Sequence, residues 1–309
     1  MATDGSENID PIYKDQPINL YLLPMTDSTP TTRLLLPALL VSLFWLFFTS
    51  ASEAFAANSS SRQALTTSVL RVCADPSNLP FSNDKLEGFE NRIIQLVADK
   101  LELEVRYTWF PQTVGFVRNT LRMRDCDLIS GITTTSELVQ NTNPYYHSAY
   151  AMVYRADSGI TATSMSDPQL IDKQLGVIAG TPPANIVAQR GLLANVKPYH
   201  LVADTRTHKP AKNAVHDVAE GITDIAFVWG PLAAFHAKEV DTELKVIPLT
   251  NENSRTRLTF RVSMAVRYNE TDWKHSINNV LSEITPQINS ILREYGVPLL
   301  DEKGQPLPQ

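Results

Sequence analysis

Thiols, histidine pairs and surplus basic charge are what this chain has least of. Its 309 residues include two cysteines, Cys73 and Cys126, and six histidines, His147, His200, His208, His216, His236 and His275. No third thiol and no closely spaced histidine pair accompany the cysteines, so no metal site is expected. No Ser-His-Asp signature, nucleophile elbow, phosphate-binding loop or metal motif occurs. No catalytic residue set and no resident cofactor are therefore expected. Basic side chains number 27 against 33 acidic ones. Only Lys14 and Arg33 among the basic residues, but six acidic residues, fall in residues 1–57. The remainder is close to neutral and has no basic stripe to neutralise phosphates, which excludes nucleic acid as an expected partner. Internal repeats and low-complexity stretches are also lacking after residue 57.

Long apolar runs are scarce. One extends from Leu34 to Phe48 and is 15 residues long. A membrane span needs about 20 apolar residues, and no charged stop-transfer flank follows this run. Arg33 precedes it, and the small residues Ala54-Phe55-Ala56-Ala57 follow. That order is the pattern of a secretory signal, with cleavage expected after Ala56 or Ala57. The competing reading is an uncleaved N-terminal anchor. Met25 offers an alternative start, because MTDSTPTTR makes a more ordinary leader than the acidic stretch before it. Residues 1–57 are set aside as a signal segment, and no membrane span is expected in the exported part.

The exported part, about 250 residues, is long enough for one large or two linked domains. Leu70 to Ala74 is a short apolar run ending at Asp75-Pro76, as a buried strand would. Phe89, Ile93, Ile94, Val97 and Leu101 recur at helical spacing over Gly88 to Leu101. Strands are then expected at Leu103–Trp109, Asp127–Ser130 and Ala149–Arg155, with a helix at Val114–Met123. A second series follows the polar break at Ala156–Gly159. It has strands at 175–178, 224–228, 244–248 and 258–266. Its helices are at 211–220 and 231–238, then 271–281 and 286–295. Gly180-Thr181-Pro182-Pro183 fits a helix N-terminus able to hold a polar ligand. Alternating strands and helices imply an α/β fold of mostly parallel sheets flanked by helices.

The expected division is a discontinuous first lobe at 68–155 plus 260–300, a second lobe at 156–259, and a tail at 301–309. Crossings are expected at Tyr154-Arg155 and near Phe260. A ligand would sit between the lobes, and two crossings would permit closure. Cys73 and Cys126 fall in neighbouring strands of this scheme, and an even pair in an oxidising compartment suggests a disulfide. Two buried free thiols are the other reading.

The strand, loop and Gly-Phe-acidic helix start of Leu70–Asn91 resemble the opening of a type II periplasmic solute-binding domain. Six segments narrow the resemblance: VCADPSNLPFSN at 72–83, GFENRI at 88–93, FVRNTL at 116–121, DCDL at 125–128, NPYYHSAY at 143–150 and FVWGPLAAF at 227–235. Together they are similar to the quinoprotein dehydrogenase-associated substrate-binding-like proteins. These are the MxaJ/XoxJ-type accessory proteins of periplasmic methanol and alcohol dehydrogenases that use pyrroloquinoline quinone. The resemblance implies a two-lobed type II periplasmic-binding-protein fold, a periplasmic location and a pyrroloquinoline quinone-dependent dehydrogenase as partner.

Amino-acid receptors of the superfamily resemble the chain around Gly131-Ile132-Thr133-Thr134-Thr135. They carry an arginine for the ligand carboxylate three residues later, where this chain has Leu138. They also carry an aspartate for the ligand amine where this chain has Trp229. A bound zwitterion would be left with unpaired charges. The cleft is instead expected to be aromatic, built from Phe81, Trp109, Tyr145, Tyr146 and Trp229, with Glu90 and Thr181 at helix starts. Each also has a plainer reading. The two tyrosines and Trp109 could be core, and Glu90 a helix-start acid favoured by the macrodipole. His147, Arg118 and Asn119 fit a solvated surface. Three functions follow: an accessory protein, an ABC-transporter receptor for a non-amino-acid small molecule, and a dehydratase-type enzyme for which Glu90 is the one acid available.

Overall fold

The computed structural model describes residues 68–201, 204–250, 252 and 254–308. The signal segment, its cleavage site and Met25 lie outside the described residues. The first half of the chain forms β1 (Val69–Ala74), β2 (Ser77–Asn78), β3 (Ser82–Asn83), α1 (Phe89–Leu101), β4 (Glu104–Trp109), α2 (Phe116–Asn119), β5 (Leu128–Thr133) and β6 (Gln140–Arg155). The second half forms β7 (Leu175–Ile178), α3 (Pro182–Gln189), β8 (Val196–Tyr199), α4 (Pro210–Ala219), β9 (Ile225–Trp229), α5 (Gly230–Ala237), β10 (Leu244–Pro248), β11 (Thr259–Val266) and α6 (Thr271–Glu294).

β1 runs parallel to β4 and β5, and β7 parallel to β8 and β9. β6 and β11 are antiparallel to their neighbours and join the two sets, giving the order β4-β1-β5-β11-β6-β9-β7-β8 with β10 also on β6. β6 changes partner between Ala149, which faces β11, and Tyr150, which faces β9. That is five residues before the expected crossing.

The period-2 pattern of strands sorts the cores. On β9, Ile225 and Phe227 face the layer shared with Met152 and Leu175, while Ala226 and Val228 face the layer shared with Val153 and Val215. In the first set of strands, α1 packs on β4 and β5 and α6 on β6 and β11, with Phe89, Ile93, Val97, Ile277, Ile284 and Leu292 in one shared core. Each large apolar side chain so buried is worth about 1.5–3 kcal/mol.

Three elements differ from expectation. The helix expected at 114–123 is four residues long. The Thr120 hydroxyl donates to the Phe116 carbonyl at 2.6 Å, competing with the backbone there, and Arg124 has φ 64°. The stretch before Ala149 is strand from Gln140 on, although it is polar and carries Pro144. Pro144 pairs with Ser263 where the β11 register shifts, a place that tolerates a missing N–H. The two helices expected at the C-terminus are one. Pro286 lies on the exposed face, while Ile277, Leu281, Ile284, Ile288 and Ile291 carry one apolar stripe past it. β2, β3 and β8 had no expectation. β8 contains Pro198 and is an edge strand, where proline is allowed.

Candidate functional site: an aromatic cleft with one buried acid

Phe81, Glu90, Gln112, Gly131, Ile132, Thr133, Tyr146, Trp229 and Val262 line a cavity of about 270 Å3 that is open to solvent. Its floor is the start of α1. The backbone N–H groups of Phe89 and Glu90 donate to the carbonyls of Pro80 and Phe81 at 2.8 and 2.9 Å, and Gly88 N–H donates to Asn91 Oδ1 at 3.1 Å. These bonds satisfy donors that a helix start leaves open. They also bring the loop so close that a Cβ on Gly88 would collide with the Phe81 carbonyl. Glycine is needed there for close approach, and the approach places Phe81 beside Glu90.

Glu90 is 7% exposed. The Ser130 hydroxyl donates to its Oε2 at 2.6 Å, and the Tyr145 hydroxyl donates to the Ser130 carbonyl at 3.1 Å. Burial raises the Glu90 carboxyl to about 7. The Ser130 and Tyr145 hydroxyls oppose that rise, and the Asp75 carboxylate adds to it. Gly131 leaves room for the carboxyl, since a Cβ there would collide with Oε1.

A β-bulge places the two tyrosines. Val262 faces Tyr146 and Ser263 faces Pro144, so Tyr145 is the extra residue on β6. Consecutive residues of a regular strand point to opposite faces. Here both rings enter one core, edge to face at 5.1 Å. Tyr146 lines the cavity, and Tyr145 packs behind it against Ser130.

Asp75 directly follows β1 and is 2% exposed. Its Oδ1 accepts from Ser77 N–H at 2.8 Å and its Oδ2 from Gln112 N–H at 2.6 Å. The Thr205 hydroxyl, from between β8 and α4, lies 2.7 and 2.8 Å from the two oxygens. Lys209 Nζ reaches the Ser77 carbonyl at 2.8 Å. Both contacts tie the β7–β9 side of the molecule to the β1 loop.

Of the expected cleft residues, Phe81, Glu90, Tyr146 and Trp229 share the cavity lining. Trp109 stacks on Tyr107 at 4.4 Å on β4, away from the lining. Thr181 precedes α3, where its hydroxyl donates to the Ile178 carbonyl at 2.6 Å, and it also lies outside the lining. Gln112 and Thr205 carried no sequence signal of a role, while Asp75 lay in the motif at 72–83, whose stretch from Asp75 to Phe81 was expected to form one wall of the cleft. The segment around Gly131 was flagged only through its likeness to receptors. Leu138 is 59% exposed, while Trp229 packs edge-on against Tyr150 and Phe260 at 5.3 and 6.0 Å. Glu90 is the one charged residue in the lining. Cys73 and Cys126 form a disulfide with Cα atoms 5.5 Å apart, linking β1 to the approach to β5.

Two lobes joined by crossing strands, with a cavity between the β1 loop and the end of β9, define a type II periplasmic-binding-protein fold. Residues 70–297 match the bacterial extracellular solute-binding proteins, family 3, and the chain belongs to that family. Within it the chain is of the MxaJ/XoxJ type. It is 44% identical to the crystal structure of the periplasmic binding protein XoxJ from Methylobacterium extorquens AM1, over 75% of this chain and all of that one, with a TM-score of 0.65. The crystal structure of MxaJ from Methylophaga aminisulfidivorans MPT is 27% identical over the same shares, also with a TM-score of 0.65. Protein MoxJ of Methylorubrum extorquens is 28% identical over 245 residues, which are 75% of this chain and 81% of that protein.

Proposed function

We propose that this chain is a non-enzymatic periplasmic accessory protein that binds a pyrroloquinoline quinone-dependent methanol or alcohol dehydrogenase and assists its maturation or activation. It works as two lobes, 68–155 with 260–300 against 156–259. The observation that carries the reading is the loss of both zwitterion anchors from a receptor fold. Leu138 stands at the arginine position with its side chain exposed, and Trp229 stands at the aspartate position and lines the cavity. A free amino acid would leave its carboxylate without a cation, a cost of several kcal/mol in a desolvated site. The likeness to MxaJ and XoxJ supports the partner.

Pull-down with a pyrroloquinoline quinone-dependent dehydrogenase of the same organism, and dehydrogenase activity in a deletion strain, test the proposal. Co-purification and reduced activity are expected. No association together with unchanged activity would remove it. Calorimetry with a panel of amino acids is expected to give no micromolar binding. A second reading, a receptor delivering a non-amino-acid small molecule to an ABC permease, is favoured by the cavity of about 270 Å3, just below the usual size of small-molecule sites. Stimulation of a permease, with no effect on the dehydrogenase, would select it.

A further inference from the structure

We propose that the cavity bounded by Phe81, Tyr146 and Trp229 binds a small organic ammonium ion, with its charge set against the Glu90 carboxylate. The proposal rests on the reading that the inter-lobe cleft is the working site, and it names the chemistry that site accepts.

The charge distribution is the first argument. Glu90 is the one charged residue in the lining. The titratable groups around it are Asp75 after β1, Tyr107 on β4, and Tyr145 and Tyr146 on β6. Burial raises all three tyrosines, so they stay neutral, and Asp75 adds negative potential. Two cations lie near Asp75, Arg206, held by Asp204 at 2.7 Å, and Lys209, held by the Ser77 carbonyl at 2.8 Å, and neither lines the cavity. The cavity therefore presents acid without base. A carboxylate ligand meets repulsion there, and a cation meets its counter-charge.

The rings are the second argument. Phe81 precedes α1, Tyr146 belongs to β6 and Trp229 ends β9, so three separate elements bring aromatic surface to one space. Aromatic rings attract a desolvated cation through their quadrupoles, most strongly for tryptophan. A carboxylate among them offsets part of the cost of stripping water from an ammonium ion. A volume of about 270 Å3 suits a methylated ammonium better than a long polyamine.

The sign of the pH dependence separates this ligand from a neutral one. Glu90 titrates at about 7. Below that pH the protonated carboxyl offers a cation no counter-charge, so cation affinity rises with pH and levels off above it. A neutral hydrogen-bond acceptor needs the proton and shows the opposite trend.

The experiment is isothermal titration calorimetry of the purified protein with tetramethylammonium chloride at about pH 6 and about pH 8. Sodium chloride at matched ionic strength and the neutral isostere tert-butanol are the controls. Saturable tetramethylammonium binding, roughly tenfold tighter at the higher pH, is expected from titration of one group. Glu90→Gln, checked by circular dichroism for folding, should abolish the pH dependence. Trp229→Leu should weaken binding about tenfold or more at both pH values. No saturable heat with tetramethylammonium at about pH 8, or an unchanged pH dependence in Glu90→Gln, overturns the proposal. If tert-butanol binds as tightly as the cation and Trp229→Leu removes both, the ligand class falls while the cleft reading stands. If neither probe binds and Trp229→Leu leaves dehydrogenase association intact, the cleft reading falls as well.

Discussion

Glu90 shows how much one side chain's surroundings decide. Its place at the start of α1 suits any acid, because a carboxylate is favoured near the positive end of a helix dipole. Burial outweighs that here and lifts the carboxyl from 4.5 to about 7. The folded state therefore holds this proton more tightly than the unfolded chain does. Below about 4.5 both states are protonated and the group costs nothing. As pH rises through the window from about 4.5 to about 7, the unfolded chain ionises first and folding loses stability. A shift of this size corresponds to about 3 kcal/mol. Urea unfolding at about pH 5 and about pH 8 should show a decline of that order in the native protein. Glu90→Gln, which cannot ionise, should flatten that part of the profile. An unchanged slope in the variant would mean that the carboxyl is solvated in solution.

At the scale of elements, the disulfide pins β1 to the segment leading into β5 across a separation of 53 residues, and both cysteines are fully buried. Closing a loop of that length restricts the unfolded chain by about 4 kcal/mol in the entropic account. Cys73→Ala with Cys126→Ala should lower urea stability by about 2–4 kcal/mol. A loss under about 1 kcal/mol would show that strand pairing alone holds the two segments together. Sequence periodicity exposed most elements, because Phe89 to Leu101 bury one helix face at the spacing its geometry requires, and the strand at 225–229 is a short apolar run buried on both faces. The cysteine pairing was legible for a related reason, since both residues fell in strands expected to be neighbours. The bulge at Tyr145 was not. Two adjacent tyrosines suggest two faces, and only a register shift against β11 turns both rings inward. The α6 helix was hidden by Pro286, whose local preference yields to a stripe of isoleucines packed on α1 and β6. In the cleft, Phe81, Glu90, Tyr146 and Trp229 were legible through motif likeness. Gln112 and Thr205 were not, because polar residues in loops become neighbours of Asp75 only through the fold.

At the scale of the whole molecule, the contact between Asp75 and Thr205 ties the β1 loop to the segment before α4 across the cleft. β6 pairs with β11 up to Ala149 and with β9 from Tyr150 on, and the chain returns just before β11, so relative motion about these two passages needs few backbone changes. Opposing that motion are the Thr205 hydroxyl against both Asp75 oxygens and the Lys209 ammonium on the Ser77 carbonyl. Hydrogen bonds to a buried carboxylate are worth about 1.5–3 kcal/mol, enough to shift a closed-to-open ratio by roughly tenfold to a hundredfold. Thr205→Val keeps the volume and removes the hydroxyl. Asp75 retains the Ser77 and Gln112 amides, so the β1 loop itself should keep its shape. The variant should therefore open without unfolding. Small-angle scattering should give a larger radius of gyration for Thr205→Val than for the native protein, while the far-ultraviolet circular dichroism of the two is the same. A saturating cleft ligand that touches both lobes should return the variant to the compact form, because it replaces the lost contact. Identical scattering from native protein and variant would show that the closed form owes nothing to this bond.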